Sequence, residues 1–265
     1  PPKLMILYLS LFISSLLIAS MTMFITWLFY LKTKIPGIVD IAWEVGFISI
    51  ISSLFFASKY TFGLNQESLV LLAVIIWGLR LLYYLIVHRI LKVVKEKRYE
   101  ELQKQMNTNL NKKYFIHFQL QALIQAFIAM SFYPIFLNKS PSNPTFLFLG
   151  ILIFLTGFVG EWISDYQLRY FKEANTGKKK VCDTGLWSLS RHPNLFFEFV
   201  IWTGIATMSI SNWKDIYAYL GVAILFHVMH NITGPVTEKY SLKSRGKAFE
   251  AYKEKVPYFF PRILK

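Results

Sequence analysis

The sequence predicts an all-α integral membrane protein: a seven-transmembrane-helix bundle with a basic cytoplasmic face and a C-terminal interfacial helix. Hydrophobic residues make up 54% of the 265 residues and charged residues only 17%, which is more apolar surface than one globular core buries. Apolar stretches of about 18 residues or more, long enough for a helix to cross a bilayer, recur along the chain. We predict seven spans, at residues 4–31, 38–58, 68–91, 114–137, 145–170, 192–210 and 213–232.

The basic residues fall on alternate connections. Of the 29 Lys and Arg residues, 22 lie after the first, third and fifth spans or beyond residue 232. This pattern predicts an N-terminus outside and a C-terminus in the cytoplasm, in either a bacterial inner membrane or the endoplasmic reticulum. The net charge of +14 is therefore interpreted as a topology signal that also attracts anionic lipid headgroups, and nucleic acid is not expected as a partner.

The chain is predicted to divide into a transmembrane domain, residues 1–235, and a cytoplasmic interfacial tail, residues 236–265. The tail mixes Lys, Glu and aromatic residues at roughly helical spacing, which favours a helix at the membrane surface. Cys182 is the only cysteine, so no disulfide framework is expected. We predict no metal site.

Ionisable residues inside the second and third spans indicate function, because in lipid each costs free energy unless it pairs or lines a cavity. Asp40 and Glu44 lie on one face of span two, where Asp40 can also cap the helix at the water boundary. Arg80, Tyr84 and His88 share one face of span three. Our preferred hypothesis is an ion pair between Glu44 and Arg80, while His88 lies near the headgroups.

Polar and small residues of the fourth and fifth spans are typical of helix packing. Gln119, Gln121 and Gln125 of span four are predicted to form hydrogen bonds between helices. Gly157 and Gly160 of span five are predicted to allow close packing against a neighbouring helix.

Span five also carries a ladder of ionisable residues, Glu161, Asp165 and Arg169, at successive steps of four. The acidic residues precede the basic one, the favourable order on a helix. Two interpretations stay open: an internally neutralised helix end, or a ribose and phosphate site.

The segment at residues 183–198, called here the signature segment, leads from a Lys-rich loop into span six. Pro193 suits the first position of a helix, and the free N–H groups of that helix start, beside Arg191 and His192, form a natural anion site. Glu198 lies on the same face as Asn194, within the membrane, and therefore also indicates function.

This segment, Gly185-Leu-Trp-x-x-Ser-Arg-His-Pro-Asn194 followed by Glu198, resembles the signature of the DUF1295 branch of the steroid 5α-reductase-like superfamily. The likeness extends over about residues 38–265. Its further motifs lie at 39–43, 77–80, Arg98 and Tyr99, Gln119, 160–168, and 171–172.

The resemblance implies a seven-helix membrane reductase that transfers hydride from NADPH to the C=C bond of an enone-type lipid or steroid-like substrate. It places the cofactor among the last three spans, with its phosphates on the cytoplasmic side. Glu44 and Tyr84 are nearest in kind to the pair that polarises the substrate carbonyl. The residues assigned to the cofactor are Asp165, Arg169, Arg191, His192, Asn194, Glu198 and Tyr240.

Two departures from the family pattern bear on the substrate. The basic cluster that precedes the final motif in steroid reductases has no counterpart at residues 234–240, and Glu161 stands where that family has an amide. The implied substrate is therefore a hydrophobic small molecule or lipid, not steroid in particular, and the protein is expected to be a monomer or weak oligomer.

Other functions compete with this interpretation. An S-adenosylmethionine-dependent methyltransferase similar to the isoprenylcysteine carboxyl methyltransferases shares the Arg-His-Pro segment and a tail like residues 251–261. We favour a reductase because spans two, three and five carry the acidic and aromatic residues that hydride transfer would use. A non-enzymatic lipid-binding protein, in which the buried charges only pair with each other, is the third alternative.

Overall fold

The computed structural model describes residues 2–90, 109–137, 142–176 and 179–262, and within these ranges the regular structure is helical, without strands. Arg98 and Tyr99 of the family likeness lie outside the described residues. The main helices are α1 (Pro2–Thr33), α2 (Ile38–Ala57), α3 (Gln66–Leu85), α4 (Leu110–Ile128), α5 (Pro144–Ala174), α6 (Pro193–Ser209), α7 (Tyr219–Val228), α8 (Gly234–Arg245) and α9 (Lys247–Lys255).

Short helical turns connect these elements. A π-helical turn at Ile86–Ile90 continues α3, and another at Met229–Thr233 joins α7 to α8. Turns of 3-10 helix lie at Ala129–Phe132, Gly185–Ser188 and Trp213–Ala218, and Pro134–Leu137 forms a single α-helical turn.

Six helical segments among the described residues are long and apolar enough to cross a membrane, which confirms the all-helical membrane fold. They are Lys3–Thr33, Ile38–Ala57, Gln66–His88, Leu110–Phe132, Pro144–Ala174 and Trp213–Arg245. Helix α6, in the sixth predicted span, has 17 residues. At about 1.5 Å per residue it is somewhat shorter than a hydrocarbon core of about 30 Å. The count of seven spans and the orientation of the termini therefore stay predictions.

The chain forms two compact units. Unit 1 comprises Pro1–Phe148 and Ile205–Ile224, and unit 2 comprises Leu149–Gly204 and Leu225–Lys265. The predicted boundary at residue 235 lies within the helical segment Trp213–Arg245, and the division into a membrane domain and a tail stays a prediction.

Side-chain amides of α4 link helices within unit 1, as the sequence predicted for this span. Ser20 Oγ of α1 donates to Gln119 Oε1 over 2.6 Å. From α2, Trp43 Nε1 donates to Gln121 Oε1 over 2.6 Å, and the carbonyl of Trp43 accepts from Gln125 Nε2 over 2.6 Å. These bonds satisfy polar groups that would otherwise be costly to bury.

Helices α5 and α6 approach each other closely in unit 2 because glycines lie at the contact. A Cβ at Gly157 would lie 2.6 Å from the backbone nitrogen of Ile201, so only glycine fits without displacing the other helix. The prediction that the glycines of span five serve close packing is confirmed. The approaches along this interface are those of Gly157 to Ile201, Gly160 to Phe197, and Gly204 to Phe154.

Replacing Gly157 by alanine is expected to lower the melting temperature in detergent. The added methyl group would meet backbone atoms, which cannot rotate away, and overpacking of this kind costs about 1–3 kcal/mol. This cost opposes the gain of about 1 kcal/mol in helix propensity. As a control, a Cβ at Gly63 has its nearest neighbour, Asn65 Nδ2, at an ordinary 3.6 Å. Equal melting of Gly157→Ala and Gly63→Ala would contradict the prediction.

Candidate functional site

The register of α5 against α6 decides which predicted residues meet in unit 2. The contacts of Gly157 with Ile201 and of Gly160 with Phe197 show that the helices are antiparallel. Residues nearer the C-terminal end of α5 therefore lie beside residues nearer the start of α6. Continued by about one turn, this register places Asp165 level with the start of α6.

The signature segment packs against the same part of α5. Trp187 Nε1 donates to the carbonyl of Ser164 over 3.0 Å, and the backbone N–H of Leu186 donates to Gln167 Oε1 over 2.9 Å. Gly185 has a φ of +60°, and a Cβ there would lie 2.5 Å from the Gln167 amide nitrogen. Only glycine meets both conditions without strain, which explains the glycine that opens the motif.

The ladder on α5 places two carboxylates inside unit 2. Glu161 and Asp165 are 4% and 6% exposed, whereas Arg169, two turns beyond Glu161, is half-buried. The guanidinium of Arg169 lies 5.4 Å from the ring centroid of Tyr166, a distance typical of a cation–π contact. The buried end of the ladder is thus acidic and its outer end is basic.

Asn194 and Glu198 occupy the first two turns of α6, and their surroundings differ. Glu198 Oε1 accepts a hydrogen bond from Trp202 Nε1 over 3.0 Å. Part of the hydrogen-bonding capacity of Glu198 is therefore used within α6. Asn194 is half-buried, and its side chain makes no hydrogen bond to the residues that the structure describes. Its amide therefore keeps both donor and acceptor capacity for a ligand.

Arg191 is held by the C-terminal part of unit 2. Its Nε donates to Glu238 Oε1 over 2.6 Å. Its Nη1 donates to the carbonyls of Lys253 and Val256, over 3.2 and 2.7 Å. Its guanidinium also lies over the ring of Tyr258, 5.3 Å from the ring centroid. The residue predicted to bind phosphate thus has several protein partners.

Glu238 is the centre of this cluster, and the sequence interpretation did not select it. Besides Arg191, it lies 3.4 Å from His192 Nε2 through Oε1 and 3.1 Å from Lys253 Nζ through Oε2. The signal that could have revealed it is a single acidic side chain on a largely basic tail helix, which calls for local partners. Tyr258 was also not selected; its ring meets that of His192 edge-on, with centroids 5.1 Å apart.

Backbone hydrogen bonds fasten the C-terminal segment, residues 256–262, to the signature segment. The N–H of Arg191 donates to the carbonyl of Pro257 over 2.9 Å, and the N–H of Arg262 donates to that of Leu189 over 3.0 Å. Ser190 Oγ, fully buried, donates to the carbonyl of Phe259 over 2.7 Å. The two segments therefore form one structural element although they are distant in sequence.

The apolar face of α9 is covered by protein. Phe249 and Tyr252 are 5% and 6% exposed, and they pack with Val256 against Val181 and Leu242. This face of the tail helix is thus largely committed to unit 2, so an anchoring contact with the membrane surface would involve its polar side.

Tyr240, assigned by resemblance to the cofactor, lies on α8 away from the Glu238 cluster. It is half-buried. Residues i and i+2 of a helix, such as Glu238 and Tyr240, are about 200° apart around its axis. The structure therefore brings Arg191 and His192 together at Glu238, and the register of α5 against α6 places Asp165 and Asn194 at one level. The assignment of Tyr240 to the cofactor stays a prediction.

The predicted substrate-side residues lie in unit 1. Gly78 lets α3 approach α2 beside Glu44, since a Cβ at Gly78 would lie 3.7 Å from the Glu44 carbonyl oxygen. The short connection between these helices makes them antiparallel. The register then places Arg80 level with Glu44, and Tyr84 about one turn further along α3.

Glu44 is 3% exposed, and Tyr84 is half-buried with its ring 5.3 Å from that of His88. Side chains of a helix lean toward its own N-terminus. In an antiparallel pair Glu44 and Tyr84 therefore lean toward each other's level. The Glu44–Arg80 ion pair and the joint role of Glu44 and Tyr84 stay predictions.

Cys182 is a reactive side chain outside the clusters described above. Cys182 is buried, and burial raises the pKa of its thiol, which lowers its reactivity as a nucleophile. In the described ranges, no group of three or more His, Cys, Asp or Glu side chains is arranged to hold a metal ion.

Comparison with known proteins places the chain in a family. The model of a family described as "Protein of unknown function (DUF1295)" matches residues 26–256. The uncharacterized protein C594.04c of Schizosaccharomyces pombe is 38% identical over 87 residues, which are 30% of this chain and 23% of that protein. The match thus spans less than a quarter of that relative's length. No solved structure matches the chain. Because the family model covers most of the sequence, the protein belongs to the DUF1295 family, the one that its signature segment resembles.

Proposed function

We propose that the protein is a membrane-embedded reductase that uses NADPH to reduce the C=C bond of an enone-type lipid. The DUF1295 family is associated with steroid 5α-reductase-like proteins, which supports this reaction class. The observation that carries the proposal lies in unit 2: Asn194, half-buried and without a hydrogen bond to the described residues, stands level with the buried carboxylate of Asp165.

The residues of unit 2 fit the chemistry of a phosphorylated dinucleotide. Carboxylates such as Asp165 and Glu198 accept hydrogen bonds from ribose hydroxyls. Phosphates favour a helix start and guanidinium groups, which here are those of Arg169 and Arg191. The Asn194 amide offers a donor and an acceptor to a carboxamide. When bound, NADPH supplies a hydride, and the protein groups orient it and exclude water.

On the substrate side, the proposal assigns Glu44 and Tyr84 to the carbonyl of the enone. Negative charge develops on that oxygen as the β-carbon accepts hydride, and donors already aimed at it lower the barrier. A carboxylic acid that burial keeps protonated can donate such a hydrogen bond, as can a tyrosine hydroxyl. An apolar substrate would enter from the lipid.

Thermal stabilisation by candidate cofactors tests the proposal. The detergent-solubilised protein is heated alone, with NADPH, or with S-adenosylmethionine. A ligand that binds only the folded state at 100 times its Kd stabilises by about 2.7 kcal/mol. We expect a higher melting temperature with NADPH and no change with S-adenosylmethionine.

Other outcomes would assign other functions. Stabilisation by S-adenosylmethionine alone would refute the reductase and favour the methyltransferase, and indifference to both ligands would favour a lipid-binding protein. Where NADPH binds, its oxidation in proteoliposomes containing enone lipids then tests the reaction itself.

A further inference from the structure

We propose that Glu238 is a positioning residue: it orients Arg191 so that one guanidinium nitrogen, Nη2, binds a phosphate of the cofactor. The inference rests on the proposed function and deepens it. It assigns the C-terminal helices, which lie outside the signature segment, a part in anion binding.

The first support is the burial of the charges. The side chains of Arg191 and Glu238 are 11% and 9% exposed, and the charged atoms are 2.6 Å apart. His192, whose side chain is 6% exposed, lies 3.4 Å from the same carboxylate oxygen. Such a buried pair is costly to desolvate and adds little stability compared with apolar packing, so its presence calls for another role.

The second support is the count of hydrogen-bond donors. A guanidinium has five N–H groups in a rigid plane. In Arg191 the Nε–H is used by Glu238, and the two N–H groups of Nη1 are used by the carbonyls of Lys253 and Val256. The two N–H groups of Nη2 have no partner among the described residues. The three hydrogen bonds from Nε and Nη1 fix the plane of the guanidinium and thus the direction of the Nη2 N–H groups.

The arrangement preorganises an anion donor. Three bonds hold the guanidinium without using Nη2, and the group stands next to the start of α6, where backbone N–H groups also favour anions. A carboxylate at residue 238 is required because a neutral partner holds a buried guanidinium less strongly. Glu238 on α8 thus influences the affinity for the cofactor phosphate, although it lies 47 residues from Arg191 in the sequence.

The test compares Glu238→Gln with Lys253→Met in the full chain. Both remove one charge from the same ion cluster, but Lys253→Met leaves every hydrogen bond of Arg191 in place, because Arg191 uses the backbone carbonyl of Lys253. We expect Glu238→Gln to weaken NADPH binding about tenfold or more, and Lys253→Met to change it less than about twofold. Parallel titrations with NADH identify the phosphate: a loss confined to NADPH indicates the 2′-phosphate, and a loss with both indicates the pyrophosphate.

A double-mutant cycle separates positioning from folding. Arg191→Lys keeps the positive charge but lacks the planar guanidinium that bonds Glu238 and the phosphate at the same time. Because both substitutions remove the same arrangement, their effects on NADPH affinity should not add. Additive effects, or wild-type NADPH affinity in Glu238→Gln with only a lower melting temperature, would overturn the inference. Should Glu238→Gln not fold, Glu238→Asp is measured against the same expectation. If the wild-type protein itself binds no NADPH, the proposed function fails first, and that outcome is distinct.

Discussion

Replacing Arg191 by methionine is expected to destabilise unit 2 by about 3–5 kcal/mol, the cost of removing one partner from a buried ion pair. The change leaves Glu238, with a side chain only 9% exposed, short of its closest partner. It also leaves the carbonyls of Lys253 and Val256 without the donor Nη1. The measurement is denaturation of the ligand-free protein in detergent, together with the rate of tryptic cleavage in the tail.

Lys253→Met is the matched control for this substitution. The Lys253 side chain is 37% exposed, and an ion pair of that exposure contributes about 1 kcal/mol or less. We therefore expect near-wild-type denaturation and slow tryptic cleavage at the remaining tail sites. A stability of Arg191→Met equal to that of Lys253→Met would show that the cluster does not fasten the C-terminal segment.

Replacing Asn194 by alanine is expected to weaken NADPH binding by one to two orders of magnitude while leaving the empty protein almost as stable as wild type. The affinity falls because the Asn194 amide is proposed to donate one hydrogen bond to the cofactor carboxamide and accept another, and each such bond contributes about 0.5–1.5 kcal/mol. The stability is retained because Asn194 makes no hydrogen bond to the described residues that the mutation would break. Isothermal titration with NADPH and thermal melting measure the two quantities.

Asn111→Ala serves as the control, since Asn111 is an exposed residue of α4 in unit 1 and should affect neither quantity by much. Unchanged NADPH affinity in Asn194→Ala would remove Asn194 from the cofactor site. The same substitution at Glu198 is less clean, because it also deprives the buried Trp202 of the acceptor for its indole N–H.

Much of the fold was predictable, because helix length and apolarity are local properties. A run of apolar residues long enough to cross a bilayer must form a helix, as no other single-segment structure satisfies its backbone in lipid. The role of Gly157 and Gly160 was predictable for the same reason: two small residues on one side of an apolar helix have few uses besides close packing. The count of seven spans stays a prediction, because α6 ends after 17 residues.

The candidate site was predictable only in part. Asp165 and Glu198 were selected because ionisable side chains in apolar helices are costly and need a purpose, and Asn194 was selected because it belongs to the motif that resembles the family signature. Arg191 was selected because it lies beside the free N–H groups at the start of span six, a natural anion site, but its partner was not found. Glu238 lies on a polar helix, where a carboxylate is unremarkable until its burial is known.

What the sequence by itself determined is the all-helical membrane fold, the close-packing role of the glycines in span five and the family, since each depends on residues close together along the chain. Only the tertiary structure decided that Arg191 is bound by Glu238 and by the carbonyls of Lys253 and Val256, and that Asn194 stands level with Asp165. Contacts of this kind join residues from separate segments. They depend on how those segments pack, and hydrophobic periodicity does not encode which buried charge meets which.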